Sequence, residues 1–152
     1  MKFALSDEHQ MLVDSARQFA AQVVAPGAEH RDQTGEFPSD LIEPLAEMGF
    51  MGMLVSEADG GSGLGYVNYA LALAEIAQAC SSTGVTMAVN NLTASAVATF
   101  ADDALKAEVL PDLCSGRDGL LGAFALSEPH CGSDAAALKT RAERVGDDYI
   151  IN

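Results

Sequence analysis

Basic residues are scarce in this chain. Eight lysines and arginines stand against 22 aspartates and glutamates, a formal net charge of -14 over 152 residues. So acidic a molecule repels nucleic-acid phosphates, whose binding rests on cationic side chains, and it gains nothing from an anionic membrane surface. No apolar run reaches the roughly 20 residues a membrane-spanning helix needs. The opening Met1-Lys2-Phe3-Ala4-Leu5 carries one positive charge and runs at once into Ser6, Asp7 and Glu8. That is neither a secretory leader nor an arginine-rich transit sequence. Three cysteines, Cys80, Cys114 and Cys131, are odd in number and lack metal spacing, which fits a reducing compartment. The expectation is a cytoplasmic protein with no nucleic-acid or membrane partner. His9 and His30 fall in polar stretches without ligand spacing, so no metal centre is expected.

What is present is apolar. The chain is 49% hydrophobic and 20% charged, enough for a real core, and its length suits one domain or one and a half. Ser6 is placed to cap a first helix, with Asp7 and Glu8 against its dipole. Leu12, Ala16, Phe19, Ala20, Val23 and Val24 follow helical spacing, and Pro26-Gly27 is the predicted stop. A polar link over 30–36 leads to a second helix starting near Ser39, with Leu41, Leu45 and Met48 inward, Pro44 inside it and Gly49 as its end. The glycines of 60–65 mark a loop rather than a dinucleotide fingerprint, because the last spaced glycine and the preceding strand are missing. The stretch 66–79 is apolar nearly all round and reads as a buried helix. Ser81 and Ser82 are expected to cap a fourth helix running toward Phe100. Asp102 and Asp103 open a fifth, with Leu105, Val109 and Leu110 inward and Pro111 and Gly116 as stops.

After Gly116 the pattern changes. Residues 120–126 read as a strand, 139–145 alternate weakly, and Tyr149-Ile150-Ile151 begins another strand beyond a turn at Gly146-Asp147-Asp148. The fold class is therefore mainly α: an N-terminal helical-bundle domain over 1–116, then the first strands of an incomplete β domain over 117–152. Open strand edges are a poor stopping point for a sheet, so the chain is expected to be the front part of a larger protein.

The densest chemistry lies at 125–134, Ala-Leu-Ser-Glu-Pro-His-Cys-Gly-Ser-Asp. Two hydroxyls, two carboxylates, a proline and a glycine follow directly on an apolar run, the arrangement of a binding loop carried on a rigid strand end. This stretch resembles the first signature of the acyl-CoA dehydrogenase family. Ala125, Leu126, Ser127, Glu128, Gly132, Ser133 and Asp134 fit its constrained positions, and Cys131 departs mildly where a smaller residue is usual. The likeness extends to Phe37-Pro38, to 45–49, to 60–64, and to Lys106, Leu110-Pro111 and Gly116; Ala101 departs where the family usually has Gly.

The resemblance implies a fold like that family's and binding of FAD. Phe124, Ala125, Leu126 and Ser127 would line the isoalloxazine ring, with the Ser127 hydroxyl and main-chain groups bonding its pyrimidine edge. The Gly132-Ser133 turn would complete the cofactor loop, and Ser133 would reach either the coenzyme A portion of the substrate or the flavin diphosphate. Donors there suit a ring that gains negative charge on accepting hydride. Glu128 and Asp134 read as acceptors that shape the loop. His130 is either a modifier of the flavin loop or a solvated loop histidine. The implied activity is α,β-desaturation of an acyl-CoA substrate in fatty acid metabolism, with electron-transfer flavoprotein as acceptor and a homo-oligomer, commonly a homotetramer, as the assembly. The family's usual catalytic base, a Glu of a later helical domain, has no counterpart here, so no catalytic residue is named. Val89-Asn90-Asn91-Leu92 leans toward short-chain members, although buried Asn side chains bonding the backbone explain it equally. Two other readings stay open: a flavin oxidase or monooxygenase on the same scaffold, and a flavin-free helical interaction module.

Overall fold

Ser6 caps the first helix in the computed structural model, which describes residues 4–152: its hydroxyl accepts from the His9 amide at 3.2 Å. Met1, Lys2 and Phe3, read above for a leader, lie outside the described residues. Helix α1 (Asp7–Phe19) buries Val13 and Ala16. Pro26-Gly27 does not end the helical path. The chain loosens into a π turn (Ala20–Val24), tightens into a 3-10 turn (Ala25–Gly27) and resumes as α2 (Ala28–Thr34). Pro26 falls at the start of its turn, where a missing N–H costs little. The segment expected as a polar link is thus largely helix, and Gly35 at φ 72° stops it. Val23, expected inward, is exposed.

A 3-10 turn (Ser39–Leu41) leads into α3 (Ile42–Glu47), with Pro44 in its first turn and Gly49 at φ 74° just beyond. Leu41, Ile42 and Leu45 point into the core, but Met48 faces out. Phe50, Met51, Met53 and Val55 of the following turn region are buried, and the Phe50 ring meets Phe19 edge-on at 6.2 Å.

Three longer helices complete the body: α4 (Gly65–Ala79), α5 (Ser81–Phe100) and α6 (Asp103–Ser115). α1 packs on α4, α4 on α5 and α5 on α6. Arg17 and Glu75 tie α1 to α4 through paired bonds of 3.0 and 2.8 Å. α4 is less buried than its composition predicts: Ala72 and Ile76 are enclosed, whereas Tyr66 and Val67 are open. Ser81 and Ser82 lie inside the first turn of α5, and Cys80 holds the N-cap position without a side-chain cap bond. Asp102 caps α6, accepting from the Leu105 amide at 2.9 Å, but Leu105 itself faces solvent. Pro111 rides on the exposed side of α6 without breaking it, and Gly116 at φ 61° stops the helix. One core gathers Leu45, Phe50, Met51, Met53, Ile76 and Met87; a smaller one gathers Val55, Ala94, Leu110, Leu113 and Cys114.

Beyond Gly116 the chain is sparsely ordered into sheet. Residues 120–126, expected as a strand, belong to no ladder, because no neighbouring strand among the described residues offers its edge. β1 (Ala142–Val145) pairs antiparallel with β2 (Asp148–Ile151), with Ala142 opposite Ile151 and Val145 opposite Asp148. The loop is Gly146-Asp147, one residue shorter than expected, with Gly146 at φ 66°. Both strands are exposed throughout. The architecture is mainly α, a helical bundle followed by a two-stranded sheet, as the sequence indicates. Among the described residues no helix is long and apolar enough to cross a membrane.

Candidate functional site

Two adjacent asparagines on α5 hold the site in place. Asn90 and Asn91 have no exposed surface, so every polar atom needs a partner. Asn91 accepts from the Met53 amide at 2.9 Å and donates to the Phe50 and Met87 carbonyls at 2.7 and 3.0 Å. Asn90 donates to the Met51 and Leu113 carbonyls, both at 2.9 Å, and accepts from the Gly122 amide at 2.9 Å. One side chain therefore joins the 50–53 turn, the end of α6 and the arm that leads to the signature. The sequence raised backbone bonding by these residues; it gave no means of telling which backbone.

The arm lies close against α5. A Cβ built on Gly122 would stand 2.4 Å from Thr93 Cβ, so only glycine fits. An apolar groove of about 380 Å³ runs between them, lined by Phe37, Val85, Thr86 and Val89 on one side and by Leu121, Gly122, Ala123 and Phe124 on the other. Its size and lining suit an apolar ligand portion. Val85 and Thr86 were not singled out from the sequence; with Val89, they follow i, i+1, i+4 spacing on one helix face, which was the available signal. A larger cleft of about 540 Å³ at Ser39, Glu43 and 115–119 is mostly polar and holds no signature residue.

Of the residues picked from the sequence, Phe124, Ala125, Ser127 and Ser133 are exposed, and Leu126 and Gly132 are partly covered. Gly132 folds back to Ser127: a Cβ there would meet the Ser127 hydroxyl at 3.8 Å. Among the described residues, the backbone of Phe124, Ala125, Leu126 and Ser127 and the hydroxyls of Ser127 and Ser133 make no internal hydrogen bond. These donors and acceptors are free for a ligand.

Glu128 shapes the loop. Its carboxylate accepts from the Lys139 amide, the Thr140 amide and the Thr140 hydroxyl, the last at 2.6 Å. These bonds, chiefly the Thr140 hydroxyl and then the two amides, hold its pKa down to about 2. Glu128 and Cys131 also exchange backbone bonds. His130 Nε2 lies 3.3 Å from Glu128 Oε2 and 3.1 Å from the Ala137 carbonyl. Glu128, His130 and Cys131 thus bring three ligand-type atoms within 4.8 Å, which their sequence spacing did not announce. The carboxylate and the imidazole are committed to the loop's own backbone, so the group acts as a clamp. Asp134 makes no side-chain bond among the described residues; only its carbonyl accepts, from Ala137.

This arrangement has close counterparts. Residues 6–117 match the family model described as acyl-CoA dehydrogenase, N-terminal domain. A probable acyl-CoA dehydrogenase, YngJ, of Bacillus subtilis (strain 168) is 43% identical over 153 residues, taking in 100% of this chain and 40% of that protein. A short-chain specific acyl-CoA dehydrogenase, mitochondrial, of Rattus norvegicus is 38% identical over 149 residues, 97% of this chain and 36% of the relative. A solved glutaryl-CoA dehydrogenase from Mycobacterium smegmatis in complex with FADH2 superposes with a TM-score of 0.89 at 29% identity, covering 97% of this chain and 38% of that one. The chain spans about 40% of the length of the first of these relatives. The match over most of its residues, on a shared fold, means that the chain belongs to the acyl-CoA dehydrogenase family as its N-terminal portion.

Proposed function

We propose that the chain is part of a FAD-dependent acyl-CoA dehydrogenase that places a double bond between the α and β carbons of an acyl-CoA thioester in fatty acid metabolism. The observation that carries this reading is the arm pinned by Asn90: it presents the free backbone of 124–127 beside an apolar groove. The donor set suits a flavin. Phe124, 58% exposed, offers an apolar edge, and Ser127 with its neighbouring main-chain groups offers hydrogen bonds to a heterocycle rim. Bound FAD would supply the hydride acceptor. The chain's own residues hold and orient. Phe124, Ala125, Leu126 and Ser127 face the ring, the Gly132-Ser133 turn backs Ser127, and Ser133 reaches the coenzyme A portion or the flavin diphosphate. Val85, Thr86 and Val89 receive the acyl tail and keep water from it. Glu128 is not the base, because a carboxylate held down to about 2 has little appetite for an α-proton. The base belongs to a part of the enzyme outside this chain.

Electron-transfer flavoprotein as the acceptor, a cytoplasmic location and a homotetramer complete the reading. Relatives' names support the acyl-CoA substrate, the resemblance supports the acceptor and the assembly, and the free cysteines support a reducing location. The test is Ser127→Ala and Phe124→Ala in the polypeptide that the complete reading frame encodes. Both are expected to lower retained flavin, with the helical circular dichroism unchanged. Full flavin in both variants would remove the arm from the cofactor site.

A further inference from the structure

The turn Glu128-Pro129-His130-Cys131 gathers a carboxylate, an imidazole and a thiol in one place. Glu128 and Cys131 exchange backbone bonds of 2.9 and 3.2 Å and form an isolated antiparallel bridge. Residues opposite one another in such a bridge send their side chains to the same side. Pro129 follows Glu128, where its fixed φ favours the turn, and His130 comes next. One ligand-type atom from each of Glu128, His130 and Cys131 therefore lies within 4.8 Å of the other two.

The loop clamp does not exhaust what these groups can bind. Both Thr140 bonds, at 2.9 and 2.6 Å, fall on Glu128 Oε1. Oε2 receives the Lys139 amide at 3.0 Å and keeps a second lone pair, and it stands 3.3 Å from His130 Nε2. That separation is the bite of a metal: two ligand atoms each about 2.0–2.1 Å from a tetrahedral zinc stand about 3.3 Å apart. Cys131 is a free, partly exposed thiol. A zinc–sulfur bond of about 2.3 Å sets its sulfur about 3.6 Å from the imidazole nitrogen, a distance that a small side-chain rotation reaches from within 4.8 Å. Behind the carboxylate, the Thr140 hydroxyl and the two amides hold its orientation, as the partners of metal ligands commonly do. One sulfur, one nitrogen and one oxygen suit zinc; magnesium and calcium prefer oxygen alone.

We propose that Glu128, His130 and Cys131 form a zinc site with three protein ligands, its fourth position open to water. Zinc enters between Glu128 Oε2 and His130 Nε2. His130 leaves the Ala137 carbonyl, 3.1 Å from Nε2, and its ring then carries the proton on Nδ1. Cys131 releases its thiol proton to solvent and binds as the thiolate. Glu128 keeps its Thr140 bonds, so the metal replaces only the histidine end of the clamp. Nothing in the proposed desaturation uses a metal, and the readouts below involve no flavin, so the two readings stand or fall separately.

The experiment has two readouts on the intact 152-residue chain, kept reduced, with excess magnesium present to occupy exposed carboxylates. The first is cobalt(II) substitution. One equivalent is expected to give a sulfur-to-cobalt charge-transfer band in the near ultraviolet, and one equivalent of zinc should displace it. Cys131→Ser should abolish the band, whereas Cys80→Ser should leave it whole. The second is zinc affinity measured against a chromophoric chelator. His130→Ala, a change in an exposed loop, is expected to weaken it by more than about tenfold, with the helical circular dichroism unchanged. No band in the wild type, a band that survives Cys131→Ser, or a zinc affinity that His130→Ala leaves unchanged would each overturn the proposal.

Discussion

The Gly122 amide donates to Asn90 Oδ1 at 2.9 Å, and Asn90 is held in turn by the Met51 and Leu113 carbonyls. This bond fastens the signature arm to the helical body. The arm has no ladder of its own, so its position depends on a few contacts that single substitutions can remove.

Gly122→Ala sets a methyl carbon 2.4 Å from Thr93 Cβ. Overpacking of this kind costs about 1–3 kcal/mol. The chain has no tryptophan, so the change is followed by circular-dichroism melting. A clearly lowered Tm is expected; an unchanged Tm would mean that the arm is free to move away from α5 at no cost.

Asn90→Leu leaves the Met51 and Leu113 carbonyls and the Gly122 amide without partners. Each orphaned buried group costs about 1–3 kcal/mol, so a loss of at least about 3 kcal/mol is expected in urea unfolding, a large part of a typical domain's stability. Asn90→Asp should not rescue it, because a carboxylate has no N–H for the two carbonyls. Wild-type stability in either variant would contradict the assigned network.

Glu128 makes the loop clamp acid-sensitive. Its pKa falls from an ordinary 4.5 to about 2. A depressed carboxylate contributes stability that is complete above its unfolded value and is lost as pH falls toward its folded one. Amide exchange at Lys139 and Thr140 should therefore be slow above about pH 5 and speed up, beyond the intrinsic pH trend, between 4.5 and 2. Glu128→Gln should loosen the same amides at pH 7 with the helices intact. Unchanged protection in that variant would show that the clamp is held by other contacts.

Val89→Phe narrows the groove beside Phe124. In the complete enzyme, specificity is expected to shift toward shorter acyl chains, by about tenfold in the ratio of kcat/KM values, the scale of a few methylenes gained or lost in an apolar pocket. An unchanged chain-length profile would place the acyl tail elsewhere.

Much of this architecture was legible in the sequence. Ser6 and Asp102 carry cap chemistry that local bonding dictates, and both cap their helices. Pro26 and Pro111 misled, because proline is tolerated in an opening turn and on an exposed helix side. The 120–126 segment has strand composition but no partner edge, and pairing is a property of the neighbour as much as of the strand. The signature loop was visible as a motif, and Glu128 as its shaping acceptor. The anchoring by Asn90 was not, since it joins residues 32 positions apart.

The central claim is tested most directly by anaerobic addition of acyl-CoA thioesters, side by side, to the 152-residue chain supplied with FAD and to the polypeptide that the complete reading frame encodes. The prediction is loss of oxidised-flavin absorbance in the reading-frame product and none with the chain alone. Flavin reduction by the chain alone, or an oxidised flavin in the reading-frame product with every thioester tried, would contradict the account.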